Sequence, residues 1–190
     1  MTLDFAAARL NMLEGQVRTC DVTDHAIQDA IRTVPREDLC PDGKRALAYA
    51  DIEISCGDGR FMMKPRDVAK LLQAVRPRAG ERALAIAAPY AAAVMQAMGL
   101  SVDQLVDGDL ASPTGEGYDV VVCEQAVTEA PQGWLDCLGP GGRLGVVERN
   151  GPVGKAQLYT RAETGVGRRE VFDATPPMLP GFERRAQFAF

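Results

Sequence analysis

The spacing of hydrophobic residues predicts three helices in the first part of the chain. Apolar residues recur three to four positions apart, the period of a helix with one buried face. They are Phe5, Ala8 and Met12 in the first helix, Ile27, Ala30, Ile31 and Val34 in the second, and Val68, Leu71, Leu72 and Val75 in the third. We expect Gly15 to loosen the first helix and Thr23 to cap the second. Pro35 should stop the second helix and Pro65 open the third, while residues 36–62 are predicted to be irregular.

From residue 82 onward, short apolar runs alternate with helical patterns. The predicted strands are residues 83–87, 105–106, 118–123, 143–147, 157–159, 170–172 and 187–190. Helices are predicted from Tyr90 to Met98 and from Pro131 to Leu138, and the second is followed by a glycine-rich turn at 139–142. Alternation of this kind predicts a mostly parallel sheet wrapped by helices. The last strands follow one another without a helix, so we expect an antiparallel edge.

Composition and charge exclude several classes of function. The net charge of −5 offers no basic face for nucleic acid, and no apolar run approaches the ~20 residues that cross a bilayer. The amino terminus lacks the pattern of a secretory signal. Five scattered cysteines without a Cys-x-x-Cys pair predict reduced thiols and a cytoplasmic protein. The single histidine, His25, is expected to face solvent, so no metal site is predicted.

Several short segments carry the most specific features of the sequence. They are residues 11–18 (NMLEGQVR), 34–37 (VPRE), 47–51 (LAYAD), 80–84 (GERAL), 118–119 (YD) and 138–144 (LGPGGRL). In this order, over residues 9–147, they resemble the protein-L-isoaspartate O-methyltransferases. The resemblance implies a single α/β domain. Residues 80–190 would form a class I methyltransferase (Rossmann-like) sheet, and residues 1–79 a helical cap with the substrate loop.

The resemblance also implies a reaction, the transfer of a methyl group from S-adenosylmethionine to the carboxylate of isoaspartyl residues in damaged proteins. This transfer needs a carboxylate held in line with an activated methyl group, so positioning carries most of the rate. No catalytic side chain is therefore predicted.

The segment that matches the family's cofactor loop has lost its glycines. The family reads Glu-Ile-Gly-x-Gly-x-Gly-Tyr, whereas this chain reads AIAAPY from residue 85 to residue 90. Glycines allow a ligand to approach the backbone closely. Ala87 and Tyr90 are the corresponding candidate cofactor-binding residues, in a shorter loop that we expect to have a different shape.

The sheet region is also too short for the full fold. About thirty residues separate the first sheet strand from the strand at 118–123, and one βαβ unit alone takes ~30. One strand–helix unit is therefore predicted to be missing. Asp107 and Asp109 are further candidate cofactor-binding residues. They match either the family's Gly-Asp segment after the third strand, which sequence likeness favours, or, for Asp107, the ribose-binding acid about twenty residues after the glycine loop.

The family's substrate loop, Gly-x-Gly-x-Thr-Ile-Ser-Gln-Pro, reads GDGRFMMKP in this chain from Gly57 onward. The candidate substrate-binding positions are Gly57, Gly59, Met63 and Lys64. Apolar Phe61 and Met63 replace the two hydroxyl groups, so the loop offers fewer polar groups to a carboxylate.

These departures lead to two main hypotheses. The chain is interpreted as a catalytically inactive, protein-binding or regulatory relative without a cofactor, whose partner would bind residues 61–63 or 188–190. The alternative is an active S-adenosylmethionine-dependent methyltransferase that acts on isoaspartyl residues. A third reading is a small-molecule binder with a remodelled cleft.

Overall fold

The computed structural model describes residues 3–183. The helices are α1 (Phe5–Met12), α2 (His25–Thr33), α3 (Pro65–Val75), α4 (Pro89–Ala97) and α5 (Gln132–Asp136). The strands are β1 (Ile54–Gly57), β2 (Arg60–Met62), β3 (Arg82–Ile86), β4 (Ser101–Leu105), β5 (Tyr118–Val127), β6 (Leu138–Glu148), β7 (Gly154–Ala162) and β8 (Gly165–Ala174). The predicted strand at 187–190 lies outside the described residues.

Six strands form one sheet in the order β4-β3-β5-β6-β7-β8. The pairs β3–β4, β3–β5 and β5–β6 are parallel, and β6–β7 and β7–β8 are antiparallel. Residues Ala83 and Ala85 of β3 pack into a core cluster with α2, α3 and α4, whereas Leu84 and Ile86 pack into a second cluster with Trp134 of α5. Both faces are covered, which explains the continuous apolar run in β3. The predicted α/β sheet with an antiparallel edge is confirmed.

Only one helix and one strand, α4 and β4, lie between β3 and β5, and residues 106–117 form neither helix nor strand. A doubly wound sheet in the order 3-2-1-4-5 has two strands outside the first. Here β4 alone lies outside β3, as expected if one strand–helix unit is missing. Because β4 pairs directly with β3, it takes the second position. Sequence likeness favoured the interpretation that Asp107 follows the third strand of the family's sheet. That interpretation is wrong, because the strand before Asp107 is in the second position.

Three local predictions need correction. Asp24, not Thr23, caps α2, because its side chain accepts hydrogen bonds from the first free backbone N–H groups of the helix. Residues 36–62 are not wholly irregular, since β1 and β2 form an antiparallel hairpin around the turn at 57–59. The glycine turn at 139–142 lies inside β6, where it produces a register irregularity against β5.

Candidate functional site

The loop after β3 is buried rather than open to a ligand. Ala87 and Ala88 are 6% and 1% exposed, and Tyr90 is fully buried. Ala87 holds a φ of 46°, a left-handed conformation that favours glycine, and its N–H donates to the carbonyl of Leu105 at 3.0 Å. The loop therefore turns inward against the end of β4, and its methyl groups occupy the space that glycines would leave.

A carboxylate from the chain itself reaches the amino terminus of α4. Glu124, near the end of β5, is 0% exposed. Its Oε1 accepts from the N–H of Ala91 at 2.7 Å, and its Oε2 accepts from the N–H of Met63 at 3.0 Å. The first turn of a helix presents free N–H groups and a positive dipole end to an anion. In this chain Glu124 meets both, and it also joins α4 to the segment after β2.

A buried arginine completes this cluster. The guanidinium of Arg36 donates from Nε to the carbonyl of Ala48 at 2.8 Å and from Nη2 to the carbonyl of Met63 at 2.6 Å. It also lies 4.3 Å from the ring centroid of Tyr90. Within residues 3–183, its Nη1 and the Tyr90 hydroxyl have no hydrogen-bond partner. Tyr90 and Met63, two predicted site residues, thus meet around Glu124 and Arg36.

Burial shifts the pKa values of both ionisable groups in this cluster, Glu124 and Arg36. It raises the pKa of the Glu124 carboxyl group, while the charge of Arg36 and the backbone N–H groups at Ala91 and Met63 act in the opposite direction. Burial also lowers the pKa of Arg36. Neither residue was among the predicted site residues, although Arg36 lies in the family segment at 34–37 and Glu124 is an acid inside the apolar run of β5.

The predicted substrate-binding positions lie in the turn of the β1–β2 hairpin and in the two residues that follow it. Gly57 and Gly59 form the β1–β2 turn with φ values of 99° and 71°, and the Gly59 carbonyl accepts from Nε2 of Gln125 at 3.0 Å. Met63 is fully buried, and Lys64 forms an ion pair with Glu53 at 3.5 Å. The prediction that residues 61–63 offer a partner-binding face is wrong, because Met62 is fully buried as well.

The two candidate acids after β4 are exposed. The Oδ1 of Asp109 accepts from the N–H of Ala111 at 3.0 Å, which forms a local turn. Asp109 and Arg60 also line an open cavity of about 380 Å³ beneath Pro180 and Phe182. These acids are therefore exposed to solvent, unlike the buried Glu124 and Arg36.

Comparisons with known proteins bear on this arrangement. The family model for protein-L-isoaspartate(D-aspartate) O-methyltransferase matches residues 9–106. The chain belongs to this family. The protein-L-isoaspartate O-methyltransferase of Methylorubrum extorquens (strain PA1) is 31% identical, with 94% of this chain and 91% of that protein covered. The enzyme of that name from Methylorubrum populi is 32% identical, with 92% and 96% covered.

A solved structure shares the fold of this isoaspartyl methyltransferase relative. It is a putative protein-L-isoaspartate O-methyltransferase from Plasmodium falciparum in complex with S-adenosyl-L-homocysteine. The match has a TM-score of 0.74 and covers 94% of this chain and 99% of that chain, at 14% identity. The family assignment and the Rossmann-like fold predicted from the sequence are therefore confirmed.

The alignment with the Methylorubrum extorquens protein is 209 positions long, more than the 190 residues of this chain. It therefore contains positions at which this family member has no residue, as a missing strand–helix unit requires. The relatives carry the name of an enzyme, and nothing in their names indicates lost activity. The comparisons therefore support the alternative hypothesis of an active methyltransferase better than the inactive one.

The residues at the family's cofactor loop do not fit a ligand that approaches the backbone closely. The side chains of Ala87 and Ala88 are packed into the core, and Glu124 holds the free N–H group of Ala91. Among residues 3–183, no group of three or more His, Cys, Asp and Glu side chains is placed to hold a metal ion. No helix in the same range is long and apolar enough to cross a membrane.

Proposed function

We propose that this member of the isoaspartyl methyltransferase family is catalytically inactive and acts by binding a protein partner. The observation that carries the proposal is the buried Glu124 carboxyl group at the amino terminus of α4, whose Oε1 occupies the N–H group of Ala91 that a group of a ligand would otherwise use. Function depends on the site rather than on the fold. The chain retains the fold of the family. Its cofactor loop, however, is packed with alanine side chains and offers no evident site for the methyl donor.

The second candidate is an S-adenosylmethionine-dependent methyltransferase acting on isoaspartyl residues. The names of the relatives favour it. So does the position of Asp107, two residues beyond β4 in the second-strand position, where an acid can bind a ribose. In this candidate the opening near Asp109 and Arg60 is the remaining entrance at the carboxyl ends of the strands.

One pair of measurements separates the two candidates. The purified chain is titrated with S-adenosylmethionine and S-adenosylhomocysteine by calorimetry, and methyl transfer to an isoaspartyl peptide is measured in parallel. The Methylorubrum extorquens relative serves as the positive control. The inactive candidate predicts no binding and no transfer above background. Micromolar binding or measurable transfer would establish the second candidate instead.

The second candidate makes its own residue-level prediction. If the chain binds the cofactor through a ribose acid, Asp107→Asn weakens binding at least tenfold, whereas Asp109→Asn leaves it nearly unchanged. The reverse result would assign the adenine-side role to Asp109.

The cytoplasm stays the predicted compartment, a proposal supported by five cysteines that form no disulfide.

A further inference from the structure

A groove runs along the edge of the sheet between α3 and the outermost strand, β8. Helix α3 packs over β5, β6 and β7, while β8 lies beyond β7 at the end of the strand order. The uncovered strip forms a cavity of about 740 Å³ that continues, past Arg76 and Arg78, into a second cavity of about 360 Å³. These two arginines precede β3, so the groove lies at the amino-terminal side of that strand, away from the cofactor loop.

Four cationic side chains line this edge groove, namely Lys70, Arg76, Arg78 and Arg169. None of the four forms an ion pair with an acid within residues 3–183. The acids along the groove are Asp21, Asp24, which caps α2, and Glu81, which is paired with Arg143 at 3.0 Å. A concentration of unpaired positive charge is notable on a chain whose net charge is −5.

The geometry directs these charges into the groove. Arg169 pairs with Leu158 of β7, whose side chain belongs to the same core cluster as α3, and cross-strand partners share one face of a sheet. Arg169 therefore faces α3. Lys70, on α3, lies with its Nζ 4.6 Å from the ring centroid of Phe172 in β8. The two walls thus carry positive charge above a floor that includes the partly buried Val171 and Phe172.

We propose that the edge groove binds an extended acidic segment of a partner protein. Several carboxylates along one segment can face cations that are spread over two connected cavities, which a single small anion cannot do. The partly apolar floor suits a peptide chain better than a single-stranded nucleic acid, whose bases bind by stacking on open aromatic rings. Here Lys70 covers the Phe172 ring, so that ring is not open to a stacking base. The proposal names the partner's chemistry for the protein-binding function above, but it depends on this groove alone.

The test uses the full chain and a fluorescently labelled octaglutamate peptide, with binding followed by anisotropy at low ionic strength. We expect saturable binding that weakens as salt screens the charges. The double variant Arg78→Glu, Arg169→Glu should weaken binding at least tenfold. Arg32→Glu, an exposed arginine on α2 outside the groove, should change it less than twofold. Circular dichroism checks that each variant is folded, and Arg78→Gln alone replaces the double variant if that variant fails to fold.

Each contrary outcome has a defined meaning. No saturable binding, unchanged binding by the groove variants, or equally tight binding of octalysine overturns the proposal. Tighter binding of a single-stranded DNA oligonucleotide would assign the groove to nucleic acid. Competition by inorganic phosphate beyond that of chloride at equal ionic strength would assign it to a small anion. The cofactor calorimetry is independent, so a failure of this proposal and a failure of the proposed function are distinguishable.

Discussion

At the residue scale, buried polar side chains define the former cofactor region. An ionised carboxylate in the core is costly unless it is hydrogen-bonded and paired. Glu124 has two backbone donors, at Ala91 and Met63, and Arg36 lies nearby. The sequence singled out Tyr90 and Met63 by their positions in family motifs. It did not show that a glutamate 34 residues beyond Tyr90 would meet both of them.

Glu124→Gln should lower the free energy of unfolding by about 1–3 kcal/mol, because the amide replaces one acceptor oxygen with a donor that faces a backbone N–H group. Burial raises the folded-state pKa of Glu124, so its favourable contribution is present below the ordinary glutamate pKa and is lost as pH rises through the folded value. The deficit of the variant should therefore be smaller at about pH 8 than at about pH 5. Denaturant unfolding at both pH values measures it.

Glu129→Gln, at an exposed glutamate, is the control and should stay within about 0.5 kcal/mol of the parent chain. A deficit for Glu124→Gln that grows with pH would contradict the electrostatic account.

Ala87 and Ala88 allow a matched test of the loop conformation. Both methyl groups are buried, but only Ala87 has a positive φ. Glycine relieves the left-handed strain at Ala87, worth about 1–2 kcal/mol, whereas at Ala88 it only removes a methyl group and adds chain entropy. Chemical denaturation should show Ala87→Gly to be more stable than Ala88→Gly by about 1 kcal/mol or more. Equal stabilities would show that the loop relaxes out of the left-handed conformation.

At the element scale, the β1–β2 hairpin is a regular element that the glycine-rich composition of its segment did not predict. Its glycines indicated an irregular segment, yet Ile54 pairs with Met62 around a tight turn. The turn is held from outside, because Gln125 donates to the carbonyls of both Gly59 and Met178. A hairpin this short is not independently stable, so its formation depends on packing that local sequence does not encode.

Gly59→Ala should destabilise the chain by about 1–2 kcal/mol more than Gly57→Ala. Both positions have positive φ, but an added Cβ at Gly59 would lie 2.7 Å from Cγ of Pro180, whereas the space at Gly57 is open. Thermal or denaturant unfolding gives the difference, and limited proteolysis of the segment around Pro180 reports whether it has been displaced. Similar losses for the two variants would mean that this contact contributes nothing.

At the scale of the whole molecule, the five cysteines report on global packing. Cys40, Cys123 and Cys137 are buried, and Cys20 and Cys56 are half-buried. Burial raises the pKa of Cys123 to about 12 and that of Cys137 to about 11, so few thiolates form at these two positions near neutral pH.

With a thiol reagent at about pH 8, Cys20 should react first in the native protein, at least tenfold faster than Cys123 and Cys137. The latter two should react only when the chain unfolds. Replacing Cys20 by serine should remove the fast phase and leave the slow phases unchanged. A fast phase that persists in the serine variant would show that another thiol is more accessible than its burial indicates.

The sequence by itself determined the properties that depend on neighbours in the chain. Apolar spacing predicted the helices and the buried strands, their alternation predicted a mostly parallel sheet with an antiparallel edge, and short segments identified the family. The loss of glycines before Tyr90 was also visible. Only the tertiary structure decided which side chains fill the space those glycines would leave, and that Lys70 of α3 faces Arg169 of β8 across a groove. These contacts depend on how elements distant in sequence pack and on the free-energy cost of burying charge. Neither can be predicted from a local sequence pattern.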